Sequence, residues 1–282
     1  MSDAIYNILS MFFIYACMGW CLEVIFCGLN NGHFINRGFL NGPVCPIYGV
    51  GGVLIVSLLT PISGNVFMLF AGAVIVTSAI EYITGYLLEK LYNARWWDYS
   101  KEPFNIKGYI CLKFSLAWGV VGVILMRGIH PAVLKIVGVL PRVLGVILLL
   151  IFLVVFIADC IATFISVKKL TDRMEVMEEI AERIKFISDN LGKRIYGKAV
   201  SIQAAAEEFA GKEEVVEIKI KSEKEAEELK AKIEELKKKY TAIAEEKHFA
   251  HKRILKAFPQ MKSKKFENAL EQIREKHRNN RS

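Results

Sequence analysis

VLGVILLLIFLVVFIADCIATFISV, residues Val143–Val167, runs for 25 positions with one charged side chain, Asp159, and is followed at once by Lys168-Lys169. A helix needs roughly 20 predominantly apolar residues to cross a bilayer's hydrocarbon core. This stretch therefore predicts a transmembrane helix that ends where charge begins. The same boundary divides the whole chain of 282 residues. Residues 1–167 carry nine Lys/Arg and seven Asp/Glu, residues 168–282 carry 28 and 22, and the overall +8 splits into +2 and +6. An average over the chain hides two regions of opposite character.

Working back from Val143, four more segments reach span length: Ile5–Cys27, Leu40–Leu59, Val66–Leu88 and Tyr109–Ile129. The second is the weakest, because Pro43 and Pro46 crowd its start. MSDAIYN lacks a basic n-region and no A-x-A site follows the first run, so that run is expected to stay as a span and not to be removed as a signal peptide. The expected fold is an all-α polytopic membrane protein. It has about five transmembrane helices in residues 1–167 and a cytoplasmic, charged, helical region in residues 168–282. With five spans, the tail shares a side with loops 28–39 and 89–108, which hold Arg37, Lys90, Arg95, Lys101 and Lys107. The other side holds the N-terminus, Arg127, Lys135 and Arg142. The basic bias places the N-terminus outside and the tail in the cytoplasm of the plasma membrane.

Beyond Val167, Leu170, Met174, Met177, Ala181, Ile184, Ile187 and Leu191 recur in steps of three and four. A second stripe runs Leu229, Ile233, Leu236, Tyr240, Ile243, after a capping-box pattern Ser222-x-x-Glu225, with a stop expected at Phe258-Pro259. Between the stripes, Val216–Lys221 alternates with period two and predicts a short strand. A last polar helix is expected over about Lys264–His277. Narrow stripes of this kind suit coiled-coil-like helix hairpins or a homodimer; the alternative is a solvated amphipathic tail resting on the membrane domain. Interspersed Glu argues against nucleic acid, while Lys-rich patches suit anionic membrane lipid.

A carboxylate inside a span costs ~2.5–3.5 kcal/mol on insertion scales and so points to function. Glu23, Glu81 and Asp159 are the three, each toward the C-terminal end of a span. Asn36 and Arg37 emerge at the same side, as does the loop ARWWDYSKEPFNIKG, Ala94–Gly108, with Trp97, Asp98, Tyr99 and Asn105. Lys113 opens the fourth span there. These residues predict a polar cluster in which carboxylates from three helices meet Arg37 and Lys113, near the cytoplasmic leaflet. Asp98 is expected to accept from Arg37 or from backbone amides and to fasten the two loops. The plainer alternatives are interfacial positions for Glu23 and Asp159 and an aromatic belt for Trp96, Trp97 and Tyr99. His130-Pro131 is read as a helix terminator.

Several chemistries are excluded by motif. G-x-x-x-x-G-K-[ST], G-x-S-x-G and H-E-x-x-H are absent, so neither a P-loop ATPase nor those hydrolase sites are expected. The six cysteines lie in or beside apolar segments without C-x-x-C or Cys/His ligand spacing, and read as reduced packing residues. No catalytic constellation, metal site or cofactor is expected.

The ordered motifs Gly19-Trp20-x-x-Glu23 and Asn36-Arg37-Gly38-Phe39-Leu40-x-Gly42-Pro43-x-x-Pro46-Ile47-Tyr48-Gly49 resemble one bacterial membrane-protein family. Glu81-Tyr82, Trp97-Asp98-Tyr99, Phe104-Asn105 and His130-Pro131 continue the likeness over residues 5–160. The family is the putative ABC-transporter type IV family, whose members are labelled ABC transporter permeases. The resemblance implies a permease that passes solute across the plasma membrane, with any ATPase a separate chain. Two other functions fit the residues alone: a membrane anchor whose tail recruits a cytoplasmic protein partner, and an enzyme on lipid head groups with Asp98 or Glu81 as base and Arg37 as anion clamp.

Overall fold

The computed structural model describes residues 2–207, 212–246 and 249–279. It is almost entirely helical. In chain order the elements are α1 (Asp3–Asn31), α2 (Pro46–Leu59) with a 3₁₀ turn (Thr60–Ile62), α3 (Val66–Tyr92), a two-stranded antiparallel ribbon β1 (Asn105–Ile106) and β2 (Ile110–Cys111), and α4 (Leu112–Ile124). A π turn (Leu125–Ile129), α5 (His130–Val139), α6 (Arg142–Glu207), α7 (Lys212–Glu245), α8 (Phe249–Ala257) and α9 (Glu267–Asn279) follow. Two compact units are present. One comprises Met1–Leu170 with His248–Lys265, and the other Thr171–Lys247 with Phe266–Ser282.

In the first unit, local chemistry sets the helix ends. The Ser2 hydroxyl accepts from the Ile5 amide, and Gly32, at φ 71°, closes α1 in the left-handed region. Asn65 caps the amides of Phe67 and Met68, and Asn93 ends α3 at φ 51°. Among the described residues, four helical runs are long and apolar enough to cross a membrane: Asp3–Leu29, Val66–Tyr92, Leu112–Val139 and Arg142–Arg194. Ile151, Val154 and Val155 on α6 and Ile75 and Ile83 on α3 stay exposed, as side chains turned to lipid would.

The second expected span, Leu40–Leu59, takes a different form. Helix begins only at Pro46, and residues 32–45 carry no regular structure between Gly32 and that point. Proline has no amide to give and suits a first helical turn, while the residue before it resists the helical region. At 14 residues α2 is about 21 Å long, short of the ~30 Å hydrocarbon core. The Cys45 amide donates to the Ala16 carbonyl at 3.0 Å. Ala16 lies 15 residues before the end of α1, about 22 Å along the helix axis. The irregular segment therefore folds back along α1 before α2 begins.

His130-Pro131 does not terminate a helix. Leu112–Val139 is one continuous run, and the expected terminator sits inside it. Pro131 lacks an amide and crowds the carbonyl four residues back; the preceding π turn, Leu125–Ile129, widens the helix at that point. His130 Nδ1 and Tyr15 Oη lie 2.7 Å apart. The predicted strand at Val216–Lys221 is also overturned, since these residues lie within α7. A strand needs a partner for its ladder, whereas the flanking Glu and Lys favour helix.

The first unit's core joins α1, α2, α3, the π turn and α5 through Met11, Tyr15, Ile55, Leu59, Leu69, Ala73, Met126 and Val133. Phe12 and Phe13 meet Phe156 of α6 edge-on at 5.6 Å. The α1–α2 seam depends on small residues, as packing between membrane helices does. A Cβ on Gly49 would fall 2.7 Å from the Phe12 carbonyl oxygen and 2.6 Å from its ring. In the second unit α6 and α7 run antiparallel. An Arg173 guanidinium nitrogen donates to the Ile243 carbonyl, and Arg194 meets Glu225 at 3.6 Å. Met174, Met177, Phe266, Leu270 and Ile273 are buried there, and Lys276 of α9 bonds Glu245 of α7 at 2.7 Å.

The seam sets a paired prediction. Gly49→Ala is expected to lose about 1–3 kcal/mol, the usual cost of overpacking, seen as a lower unfolding midpoint in detergent. Gly51→Ala, whose Cβ would meet nothing closer than Ile80 at 3.9 Å, is expected to hold its midpoint.

Candidate functional site

Irregular backbone among apolar helices must find partners for its amides and carbonyls. In the segment 32–45 three side chains, Asn36, Asp159 and Arg253, supply them. Asn36 Oδ1 accepts from Trp20 Nε1 at 2.7 Å and from the Gly38 amide at 3.2 Å, while its Nδ2 donates to the Asn41 carbonyl at 2.7 Å. Asp159 of α6 accepts the amides of Asn41 (3.0 Å) and Gly42 (2.7 Å) and the Asn41 side chain (2.8 Å). Arg253 of α8 donates to the carbonyls of Gly38 and Phe39, each at 2.8 Å. Asn41 Nδ2 also reaches Thr163 Oγ1 at 3.0 Å.

The second loop is a braced hairpin. Asp98 accepts from the Ser100 amide at 3.0 Å, from the Ser100 hydroxyl, and from Lys262 Nζ at 2.7 Å. Asn105 donates to the carbonyls of Ser100 and Glu102 and accepts from the Gly108 amide. Gly108 sits at φ 74°, where a Cβ would fall 2.5 Å from Ser100 Oγ. Arg95 bonds Glu89 at 2.6 Å, and Tyr109 donates to the same carboxylate at 2.7 Å. The Arg95 backbone pairs with that of Lys262 in both directions. Trp96 is enclosed by Phe39 at 5.0 Å and Phe258 at 4.8 Å.

These supports leave a cavity of about 430 Å³ in the first unit, lined by Glu23, Arg37, Tyr48, Glu81, Trp97, Tyr99 and Trp118 among apolar neighbours such as Ile55 and Leu125. Glu23 is satisfied twice: Tyr48 donates to Oε1 at 2.5 Å and Arg37 Nε lies 3.1 Å from Oε2. Glu81 is not. It is 9 % exposed, and its Oε1 accepts from Tyr99 at 3.2 Å while Oε2 has no hydrogen-bond partner. Tyr99 is stacked on Phe114 at 4.8 Å. Burial first, then the Glu81 charge, push its phenol well above the usual value, so it remains a donor at neutral pH.

A family model described as "Putative ABC-transporter type IV" matches residues 10–164, from α1 into α6. The chain belongs to this family. No curated protein and no solved structure matches it. Membership ties the chain to membrane transport, and it covers every cavity-lining residue named above.

Within this type IV chain the expected polar cluster separates into parts. Glu23, Arg37, Glu81, Trp97 and Tyr99 share the cavity. Asn36 and Asn105 shape their own loops. Asp159 holds backbone amides and does not join the other two carboxylates; Lys113 is exposed, with its ammonium 5.4 Å from the Phe114 ring. Asp98 does accept a backbone amide, but the cations beside it are Lys262 at 2.7 Å and Arg95 at 3.9 Å, while Arg37 is committed to Glu23. The six cysteines are all free. Tyr48, Arg253 and Lys262 were not singled out by sequence as partners. Nothing local distinguishes Arg253 and Lys262 from the other basic residues after position 167.

Asp98 carries a pH prediction. Burial raises its carboxyl, but the bonds from Lys262 and Ser100 outweigh this and hold it well below the ordinary carboxylate range. A depressed folded value stabilises above the unfolded value of about 3.9 and is lost as pH falls through the folded one. Asp98→Asn is therefore expected to melt lower than the parent at pH 7. The gap should narrow only below about pH 4, measured by thermal unfolding in detergent across pH. A gap independent of pH down to full acid unfolding would contradict it.

Proposed function

We propose that the protein is a permease component of a transport system, binding its solute in the cavity that holds Glu81. The observation that carries this reading is the lone Glu81 Oε2, enclosed in a cavity large enough for a small molecule. Family membership supports transport, and the absence of a G-x-x-x-x-G-K-[ST] motif in the sequence leaves nucleotide hydrolysis to a separate chain. The segment 32–45 and the half-length α2 support it too, because irregular backbone and broken helices among apolar spans suit a binding cavity. The basic bias supports a plasma-membrane orientation with the tail and the polar site on the cytoplasmic side, and the tail as the contact for a second copy or an ATPase.

The test compares cells expressing wild type, Glu81→Gln or neither, with untargeted profiling of small molecules in cell extract and medium. A pool that shifts between cells and medium with wild type, and returns with Glu81→Gln at equal membrane abundance, is the expected result. Wild-type expression that shifts no pool would overturn the reading.

A second reading rests on Phe186 and Tyr196 of α6, which are exposed aromatic side chains in the charged region. It makes the chain a membrane anchor that recruits a cytoplasmic protein. In that case Phe186→Ser with Tyr196→Ser abolishes the cellular effect and Glu81→Gln leaves it intact.

A further inference from the structure

The cavity's charges point to one class of occupant. Its charged lining residues are Glu23, Arg37 and Glu81. The Arg37 guanidinium is drawn to Glu23 at 3.1 Å and lies 6.0 Å from the Phe26 ring centre, so these two opposite charges cancel in place. Cys45 and Pro46 at the N-terminal end of α2 also line the cavity, adding about half a positive charge from the helix dipole. Against this stands the Glu81 carboxyl, whose Oε2 has no hydrogen-bond partner. With Glu81 ionised the sum is negative, which disfavours an anion.

The walls point the same way. Tyr48, Trp97, Tyr99 and Trp118 line the space, and their polar ends are largely committed to protein. Tyr48 donates to Glu23, Tyr99 to Glu81, and Trp97 Nε1 to the Tyr109 carbonyl at 2.9 Å. What these side chains offer an occupant is ring surface, with Tyr48 and Trp118 set edge to face at 5.6 Å. Aromatic surface around a single unpaired carboxylate is the chemistry that recognises an ammonium group. The rings attract the cation through their quadrupoles, and the carboxylate supplies the counter-charge. A buried carboxylate oxygen without a partner is costly, and a bound cation removes that cost.

We infer that the cavity binds a small organic cation bearing a quaternary or substituted ammonium group, held between Glu81 and the Tyr48–Trp118 and Trp97–Tyr99 aromatics. This rests on the permease reading for its purpose but not for its test. The purified full-length chain in lipid nanodiscs is titrated with choline, with its neutral isostere 3,3-dimethyl-1-butanol, and with the anion 3,3-dimethylbutanoate, by calorimetry and tryptophan fluorescence. Choline is expected to bind, the other two to bind at least about tenfold more weakly, and Glu81→Gln to weaken choline by about tenfold, the scale of one lost charge-assisted contact. Equal binding of choline and the alcohol would overturn the inference in favour of an apolar site with protonated Glu81. Preference for the anion, or no binding of any probe, would overturn it too. The comparison among probes on the wild-type chain needs no variant, so a misfolded Glu81→Gln leaves it decisive. Choline binding without any solute pool shifting in cells would uphold the site and sink the transport reading. A pool shift without choline binding would sink only the cation class.

Discussion

Backbone that leaves a helix among apolar spans has no water to turn to, and the segment between Gly32 and Cys45 meets that constraint with side chains from distant parts of the chain. Asp159 faces amide donors, Arg253 faces carbonyl acceptors, and Asn36 bridges both kinds. The signs match: an anion takes N–H groups, a cation takes C=O groups. The Cys45 amide uses a carbonyl of α1. With the segment fixed, α2 starts part-way along α1, and Gly49 and Gly52 let it lie close against Phe12 and Tyr15. A helix that begins part-way fills only part of the bundle. The remainder is walled by loop residues, and the cavity is the result.

Glu23, Glu81 and Asp159 sit in spans, and their surroundings differ in kind. Asp159 has a nest of amides, and Glu23 has Arg37 and Tyr48. Both are explained by structure alone, since each oxygen has a donor and the charge is balanced or delocalised onto hydrogen bonds. Glu81 has a single phenol at 3.2 Å. Nearby cations do not relieve it: Arg37 is held by Glu23 and Lys113 is exposed. A fold has no need to keep an unbalanced carboxylate in its interior, so Glu81 is set apart by what it lacks.

Apolar runs over about 20 residues made the long spans legible, because a membrane helix must satisfy its backbone internally and its sequence shows little else. Glu81, Arg37 and the WWDY loop were legible as well, since polar groups are conspicuous in an apolar stretch. Pairings were not. Arg253 lies 215 positions from Gly38, and one arginine in a basic region resembles any other until the chain folds. The same limit hid Lys262 as a partner of Asp98, 164 positions away. Local pattern also misled at Val216–Lys221, where alternation suggested a strand but the residues lie within α7 and the described residues offer no neighbouring strand to pair with. At His130-Pro131 a helix breaker was absorbed by a π turn that leaves no mark in composition.

The family core, residues 10–164, does not complete its own cavity. Phe258 contributes to the wall and packs on Trp96, Arg253 holds the Gly38 and Phe39 carbonyls, and Lys262 holds Asp98. All three belong to the stretch that folds with the first compact unit after the long charged helices. The sharp change of composition at Val167 is therefore not where the cavity's structural support ends. Satisfying two carbonyls and one carboxylate in the two loops requires the chain to come back, and those few bonds make sequence from beyond the spans part of the site they enclose.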